Sequence, residues 1–315
     1  MVNFYTKPLH ENSPWLMLPS QYQPEEHHII TKHSRFFLNV STNQVHRFEL
    51  PKNDHEKTVC GFSADWLILL DGQNSSLTLL NPFTGHQVNN LPQLPPNGAV
   101  HKAILSSDPL CNPRDYKVLA IFGEKRNLIC YEDGNQEWTV LQGYGNQYDD
   151  VLASTDKELL AVNELGRLVL CDLDCRFSLE YNERALPSFF NGNKVYLVSL
   201  EGLEFILLSF SGTSYVFGHQ SYDDNLRRFE VYYYVEKKWH YITDLGERTI
   251  FLGHNHSVAV CDAPGYRRNC IYFTGDEEGE IDNSGVFSLK DGEAERLQWF
   301  MPGTTAARKL VIYNK

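Results

Sequence analysis

Six times along this chain a short apolar alternation runs into a turn and re-emerges as a second alternation. The clearest copy is Trp66-Leu67-Ile68-Leu69-Leu70, a turn at Asp71-Gly72, then Ser76-Leu77-Thr78-Leu79-Leu80. A second turn crosses Asn81-Pro82-Phe83-Thr84-Gly85, and Gln87-Val88 leads on to Leu91-Pro92. A period of two, punctuated by Gly, Asn, Asp and Pro, reads as short strands. The first segment reads as a buried inner strand. In the second turn Pro82 fixes φ and Gly85 supplies a positive φ. The same order recurs at Arg35 to Val40 with Gln44 to Leu50, and at Asn127 to Gly134 with Glu137 to Leu141. It returns at Glu158 to Val162 with Gly166 to Asp172, at Arg228 to Tyr233 with Lys238 to Ile242, and at Gly285 to Gly292. Helical periodicity is almost absent.

Such units are too small to bury both faces alone, and a spacing of roughly 35 to 60 residues points to the four-stranded blades of a β-propeller. The reading is an all-β chain with a propeller of six blades, or seven if one is split between the termini. A β-sandwich is the alternative, but it gives no reason for the recurring turns. Length allows one domain or two, and propellers of 315 residues are single units. The 42% hydrophobic content suffices for a sizeable core, and 18 Phe and 17 Tyr against 3 Met suit pleated sheets.

A net charge of -12 leaves no basic field to hold a phosphate backbone, so nucleic acid is excluded as the expected partner. The seven cysteines (Cys60, Cys111, Cys130, Cys171, Cys175, Cys261, Cys270) are odd in number and scattered, which reads as buried thiols rather than a disulfide framework. Cys171 and Cys175 lack the second pair that a zinc site needs. Met1 to Glu26 carries no apolar run of signal-peptide type, and no stretch approaches the roughly 20 apolar residues of a membrane span. The sequons at Asn39, Asn74 and Asn255 are therefore read as fortuitous, and a cytoplasmic or nuclear location is expected.

An ordered set of segments resembles a plant family, the KIB-type β-propeller (domain of unknown function 295), often found behind an F-box. The segments are Pro14-Trp15-Leu16-Met17-Leu18-Pro19, Leu77 to Gly85, Lys102 to Pro109, and Tyr148-Asp149-Asp150-Val151. They continue with Phe229 to Tyr232, Lys238-Trp239, Asp244 to Gly253, Asn269 to Thr274, Gly285-Val286-Phe287 and Trp299-Phe300-Met301-Pro302. The resemblance covers 14–302 and implies a propeller used for protein recognition. Members with an F-box look like substrate receptors of a ubiquitin ligase, and the namesake members bind shaggy-like kinases. The chain departs from that pattern at its start: residues 1–13 are read as an extension too short for an F-box, so the chain is expected to be either a domain separated from its F-box or a stand-alone member, and 303–315 are read as a tail. The expected partner is a protein, either a shaggy-like kinase or another ubiquitylation substrate, bound by a monomeric domain.

Candidate chemistry is sparse. His254 and His256 alternate and could share a metal on one strand face, but no third ligand stands at a supporting spacing. His27, His28 and His33 also lack a carboxylate partner. Asp276-Glu277-Glu278-Gly279-Glu280-Ile281-Asp282 offers oxygen ligands without the spacing of a calcium loop, and reads as a solvated hairpin. Ser214 lacks the second Gly of a nucleophile elbow. Phosphate-binding glycine loops of both common types are missing. Asp149-Asp150 and Asp223-Asp224 could supply the two carboxyls of glycoside hydrolysis. Neighbours on a strand point to opposite faces, however, so turn-capping or exposed aspartates are expected. Trp15, Trp66, Trp138, Trp239 and Trp299 read as core or blade-interface anchors, with an aromatic carbohydrate site as the sharper alternative. Tyr144, Tyr148, Tyr222, Phe189 and Phe190 fall in or near expected loops, where each is read either as an interface anchor or, equally, as core packing.

The chain is thus read as a non-enzymatic protein-interaction propeller with no catalytic, cofactor-binding or metal-binding residue assigned. The rivals are a carbohydrate-active or hydrolytic propeller and a stand-alone inhibitor of shaggy-like kinases.

Overall fold

A computed structural model of the protein describes residues 15–17, 34–39, 44–96, 98–141, 147–153, 158–164, 166–172, 177–181, 194–199, 205–211, 228–235, 238–253, 256–262, 266–273 and 285–296. Among these residues the strands form six sheets. The first holds β1 (Trp15–Met17), β2 (Ser34–Asn39) and β3 (Gln44–Glu49). Four meanders follow, each in simple sequential order. They are β4 (Thr58–Ser63), β5 (Trp66–Asp71), β6 (Ser76–Leu80) and β7 (Gln87–Val88), then β8 (Val100–Leu105), β9 (Lys117–Phe122), β10 (Asn127–Glu132) and β11 (Thr139–Val140). Next come β12 (Tyr148–Ala153), β13 (Glu158–Asn163), β14 (Leu168–Asp172) and β15 (Phe177–Tyr181), then β16 (Lys194–Ser199), β17 (Phe205–Ser211), β18 (Arg228–Val235) and β19 (Lys238–Ile242). The last sheet has β20 (Arg248–Leu252), β21 (Ser257–Cys261), β22 (Cys270–Phe273), β23 (Gly285–Ser288) and β24 (Glu293–Arg296). Its order is β21-β20-β22-β23-β24, with β20 and β22 parallel, a departure from the plain meander that the sequence did not foreshadow.

The chain divides into two compact units, one of 1–9, 56–209 and 230–241, the other of 10–55, 210–229 and 242–315. In the first unit the opening strands β4, β8, β12 and β16 lie beside one another in turn. They begin at Thr58, Val100, Tyr148 and Lys194, which are 42, 48 and 46 residues apart. Successive meanders packed by their first strands are blades, and two flat sheets face to face are ruled out for this unit. The segment Trp66–Asp71, read from sequence as the inner strand, is the second strand of its blade; Thr58–Ser63 lies inside it.

Apolar layers fill the space between neighbouring blades of this unit. Trp66, Ile68, Leu77 and Leu79 of one blade meet Ala103, Val118, Ala120 and Ile129 of the next. The opposite faces of the same strands, Leu119, Ile121 and Leu128, meet Val151, Leu159 and Ala161 of the third blade. Alternate residues of β9 therefore serve two different layers. All six are buried, which is why Val118-Leu119-Ala120-Ile121-Phe122 reads as an unbroken apolar run. In the second unit, Phe251, Tyr266 and Tyr272 pack with ring centroids 5.1 to 5.4 Å apart.

The turn at Asn81 to Gly85 forms as its residues dictate. The Asn81 side-chain oxygen accepts the amides of Phe83 and Thr84 at 3.0 Å each, and Gly85 has φ 74°. Between β5 and β6 the Asp71 carboxylate accepts the amides of Gln73 and Asn74, and the positive φ falls on Ser75.

Gly61 on β4 marks a close approach between blades. A Cβ there would sit 2.0 Å from the Ala103 carbonyl oxygen of β8. Gly61→Ala is expected to lose about 1–3 kcal/mol or more, because the obstacle is backbone and cannot rotate away. An unchanged urea midpoint would show that the two first strands are not in contact.

Candidate functional site

The same irregularity recurs in three successive first strands. The pairing register of β4, β8 and β12 with the following strand shifts between Val59 and Gly61, between Val100 and Lys102, and between Tyr148 and Asp150. Cys60, His101 and Asp149 are thus the extra residues of three equivalent β-bulges, which re-aim side chains that a regular strand would send to opposite faces. The residue after each bulge is directed at the next blade. Gly61 faces Ala103, Lys102 reaches Asp150, and Asp150 reaches the backbone of β16.

This geometry gathers a buried charge network where β8, β12 and β16 meet. Asp150 Oδ1 forms a short bond with Lys102 Nζ and accepts the Val151 amide at 2.8 Å, while Oδ2 accepts the Leu197 amide at 2.9 Å. Asp149 Oδ1 pairs with Arg126 Nη1 at 2.9 Å, and its Oδ2 accepts the Val195 amide at 2.9 Å. His101 Nε2 donates to the Gly123 carbonyl at 3.0 Å. Lys102, Asp149 and Asp150 are all buried. The expectation of turn-capping or exposed aspartates is therefore corrected at Asp149 and Asp150. The bulge overrides strict alternation, and both carboxylates reach one strand.

The bonds also carry the repeat of the fold. Ser63 to the Leu105 carbonyl and Trp66 to Asp108 are 42 residues apart, Trp138 to the Pro92 carbonyl and Val195 to Asp149 are 46, Leu197 to Asp150 is 47, and Lys102 to Asp150 is 48. Each ties a residue to a position about one blade away. A buried charge is tolerated only when paired and hydrogen-bonded, and all four carboxylate oxygens here are spoken for.

Burial, the largest influence, pushes the Asp149 carboxyl up to about 6, against Arg126, the Val195 amide and Lys194, which pull it down; Asp150 adds a smaller upward push. Burial also lowers the His101 imidazole. Because the folded value of Asp149 lies above its ordinary 3.8, the folded state binds the proton more tightly than the unfolded one. Its contribution to stability is largest below pH 3.8 and is lost as pH rises through about 6. Asp149→Asn keeps an acceptor for the Val195 amide and cannot ionise. Relative to wild type the variant is expected to gain about 2 kcal/mol between pH 4 and pH 7. Urea titrations at several pH values measure this, and a constant difference would contradict the shift.

Of the other sequence candidates, Tyr148 is not a loop anchor. It opens β12 and is buried in the apolar layer with Val151 and Leu159, which bears out the core-packing alternative for this residue. Trp66 is fully buried, and its indole donates to Asp108 Oδ1 at 2.8 Å. Trp138 and Trp239 stand on or beside the fourth strands of their blades and pack against inter-blade layers. Trp15 lies on β1. His256 precedes β21, and its carbonyl accepts the Gly253 amide at 3.0 Å. His27, His28, His33, Tyr144, Cys175, Phe189, Phe190, Ser214, Tyr222, Asp223, Asp224, His254, the 276–282 acidic stretch and Trp299 lie outside the described residues.

The thiols divide. Cys60, Cys130 and Cys270 are buried, and burial pushes Cys60 up to about 12. Cys111 and Cys261 are exposed, correcting the expectation for these two: Cys111 sits on the loop after β8 and Cys261 ends β21, an outermost strand. A cluster missed in the sequence brings Glu247, Cys261 and Asp262 within 4.8 Å of one another. Arg268 spans both carboxylates, at 3.0 Å to Glu247 and in a short contact with Asp262, so the cluster is an ion-paired surface feature. Antiparallel pairing of β20 with β21 sets Arg248 opposite Cys261, which only the hairpin register could have revealed.

Consecutive four-stranded meanders, stapled through their first strands, define a β-propeller. The family model of the KIB1-4 beta-propeller matches residues 37–288, and the chain belongs to that family. It is 26% identical over 199 residues to the F-box protein At2g17036 of Arabidopsis thaliana, covering 58% of this chain and 48% of that one. Over 68 residues it is 31% identical to the F-box protein At2g05970 of the same plant, covering 21% and 18%. The chain spans about half the length of the curated relatives with the longer matches, 49% and 48%. Among solved structures, the β-propeller domain of Myceliophteria thermophila Cps50 (Swd1) aligns with a TM-score of 0.37 at 11% identity, covering 84% of this chain and 91% of that one.

Proposed function

We propose that this propeller is a non-catalytic recognition module that binds a protein partner through its inter-strand loops, acting in the cytoplasm or nucleus. The observation that carries the reading is the family match over residues 37–288 together with F-box proteins as relatives. The inner-strand chemistry supports it, since both oxygens of Asp149 and of Asp150 are committed to amides or cations that hold blades together. A rigid scaffold of this kind frees loops to vary and to bind.

The finer proposal is that the partner is a shaggy-like kinase or another substrate of a ubiquitin ligase. Mixing the purified protein with a shaggy-like kinase should give a complex of defined stoichiometry in light scattering. Mutation of the loops, with the melting temperature unchanged, should abolish it. No complex, combined with turnover of a glycoside or ester substrate, would overturn the recognition role.

A further inference from the structure

Asp149 and Asp150 are like charges on neighbouring residues, both buried, and their compensating cations differ in kind. Lys102, bonded to Asp150, is itself buried, with 7% of its side chain exposed. Arg126, bonded to Asp149, lies in the hairpin between β9 and β10 with 28% of its side chain exposed. Two adjacent carboxylates in a medium of low dielectric resist double ionisation, and the one with the better-hydrated partner is the natural site for a proton. The other groups facing Asp149 are Lys194 at the start of β16 and Asp150 on its own strand. His101 on β8 shares Arg126 and Lys194 as its charged neighbours.

We propose that Asp149 is a proton-operated clasp: ionised, it holds the Arg126 hairpin against the third blade; protonated, it lets the guanidinium go while keeping β16 in place. The balance is simple. A solvent proton goes to Asp149 Oδ1, Arg126 stays protonated and exchanges carboxylate for water, and Oδ2 still accepts the Val195 amide. What then restrains the hairpin is the Gln147 amide on the Lys125 carbonyl at 2.8 Å, the Tyr148 amide on the Arg126 carbonyl at 3.1 Å and the His101 ring on the Gly123 carbonyl at 3.0 Å. The raised proton affinity of Asp149 fits this assignment.

The consequence reaches the surface. Gly123, Glu124 and Lys125 of this hairpin line an open cleft of about 260 Å³ together with the apolar Phe122, Ile129 and Val140. Proton occupancy of Asp149 therefore sets how firmly that rim is held, and anything seated in the cleft meets a pH-dependent wall.

Two readouts on the purified protein test the clasp. In carboxyl carbon NMR of aspartate-labelled protein, one resonance should titrate with a midpoint near pH 6, and it should vanish in Asp149→Asn. In hydrogen exchange corrected for intrinsic rate, the 123–126 hairpin should exchange roughly fivefold faster at pH 5 than at pH 7.5, the loss of one partly exposed ion pair. If Asp149→Asn does not fold, Arg126→Gln serves in its place: it should raise the midpoint further and make hairpin exchange fast at both pH values. An aspartate set that titrates entirely below pH 5, or hairpin exchange in the wild type that ignores pH, overturns the proposal.

Discussion

Asp150→Ala is expected to destabilise the protein by about 3–5 kcal/mol, the cost of stripping one partner from a buried ion pair. Three groups lose their acceptor together: the Lys102 ammonium, the Val151 amide and the Leu197 amide. Lys102 has little access to water, so its charge is left uncompensated. Since domains of this kind are stable by only about 5–15 kcal/mol, much of the reserve disappears with one side chain. Urea unfolding followed by tryptophan fluorescence measures the loss. A change below about 1 kcal/mol would show that the ion pair is solvated rather than buried.

Trp66→Ala is the second large effect, expected at about 3–5 kcal/mol from the cavity it opens. The indole is fully enclosed between the first two blades of its unit, and its Nε1 donates to Asp108. Asp108 Oδ1 also accepts the Leu110 amide at 2.9 Å, so the substitution loosens the loop after β8 as well as the core. Trp66→Phe separates the two contributions. It keeps most of the packing, and losing the hydrogen bond to a carboxylate alone should cost about 1.5–3 kcal/mol. Equal losses for Ala and Phe would mean the indole is not packed between blades.

Local chemistry was legible in the sequence. The Asn81 turn needs only its own side-chain oxygen and a glycine that tolerates a positive φ, and both are visible as letters. Each of the six sheets among the described residues had its counterpart in a repeated unit of the sequence, but the phase of those units was not legible. Trp66 to Leu80 matched the second and third strands of a blade, whereas Asn127 to Leu141 matched the third and fourth. That slippage explains a spacing of roughly 35 to 60 residues in the sequence where the first strands are 42 to 48 apart. The first strands escaped notice for a physical reason. Their two faces are both buried, so alternation fades, and three of them carry bulges that break the period of two.

The charge network was hidden by the same bulges. Asp149 and Asp150 were assigned to opposite faces on the assumption of a regular strand, and nothing in the letters marks Asp149 as an extra residue. Lys102 stands 48 positions upstream of Asp150 and becomes its partner only when two blades are placed side by side. The stretches Lys102 to Pro109 and Tyr148 to Val151 were noticed through their family resemblance, which named the residues without disclosing that they meet. The outer strands were easier, because Trp138 and Trp239 sit at matching places and pack in matching ways.

Blades held to one another by side chains one repeat apart are the foundation of everything inferred about this molecule, and a double-mutant cycle on Lys102 and Asp150 tests that most directly. We expect the double variant of Lys102→Met and Asp150→Ala to lose about 2–3 kcal/mol less than the sum of the two single losses, a coupling between residues in different blades. Strict additivity of the two single losses would contradict it.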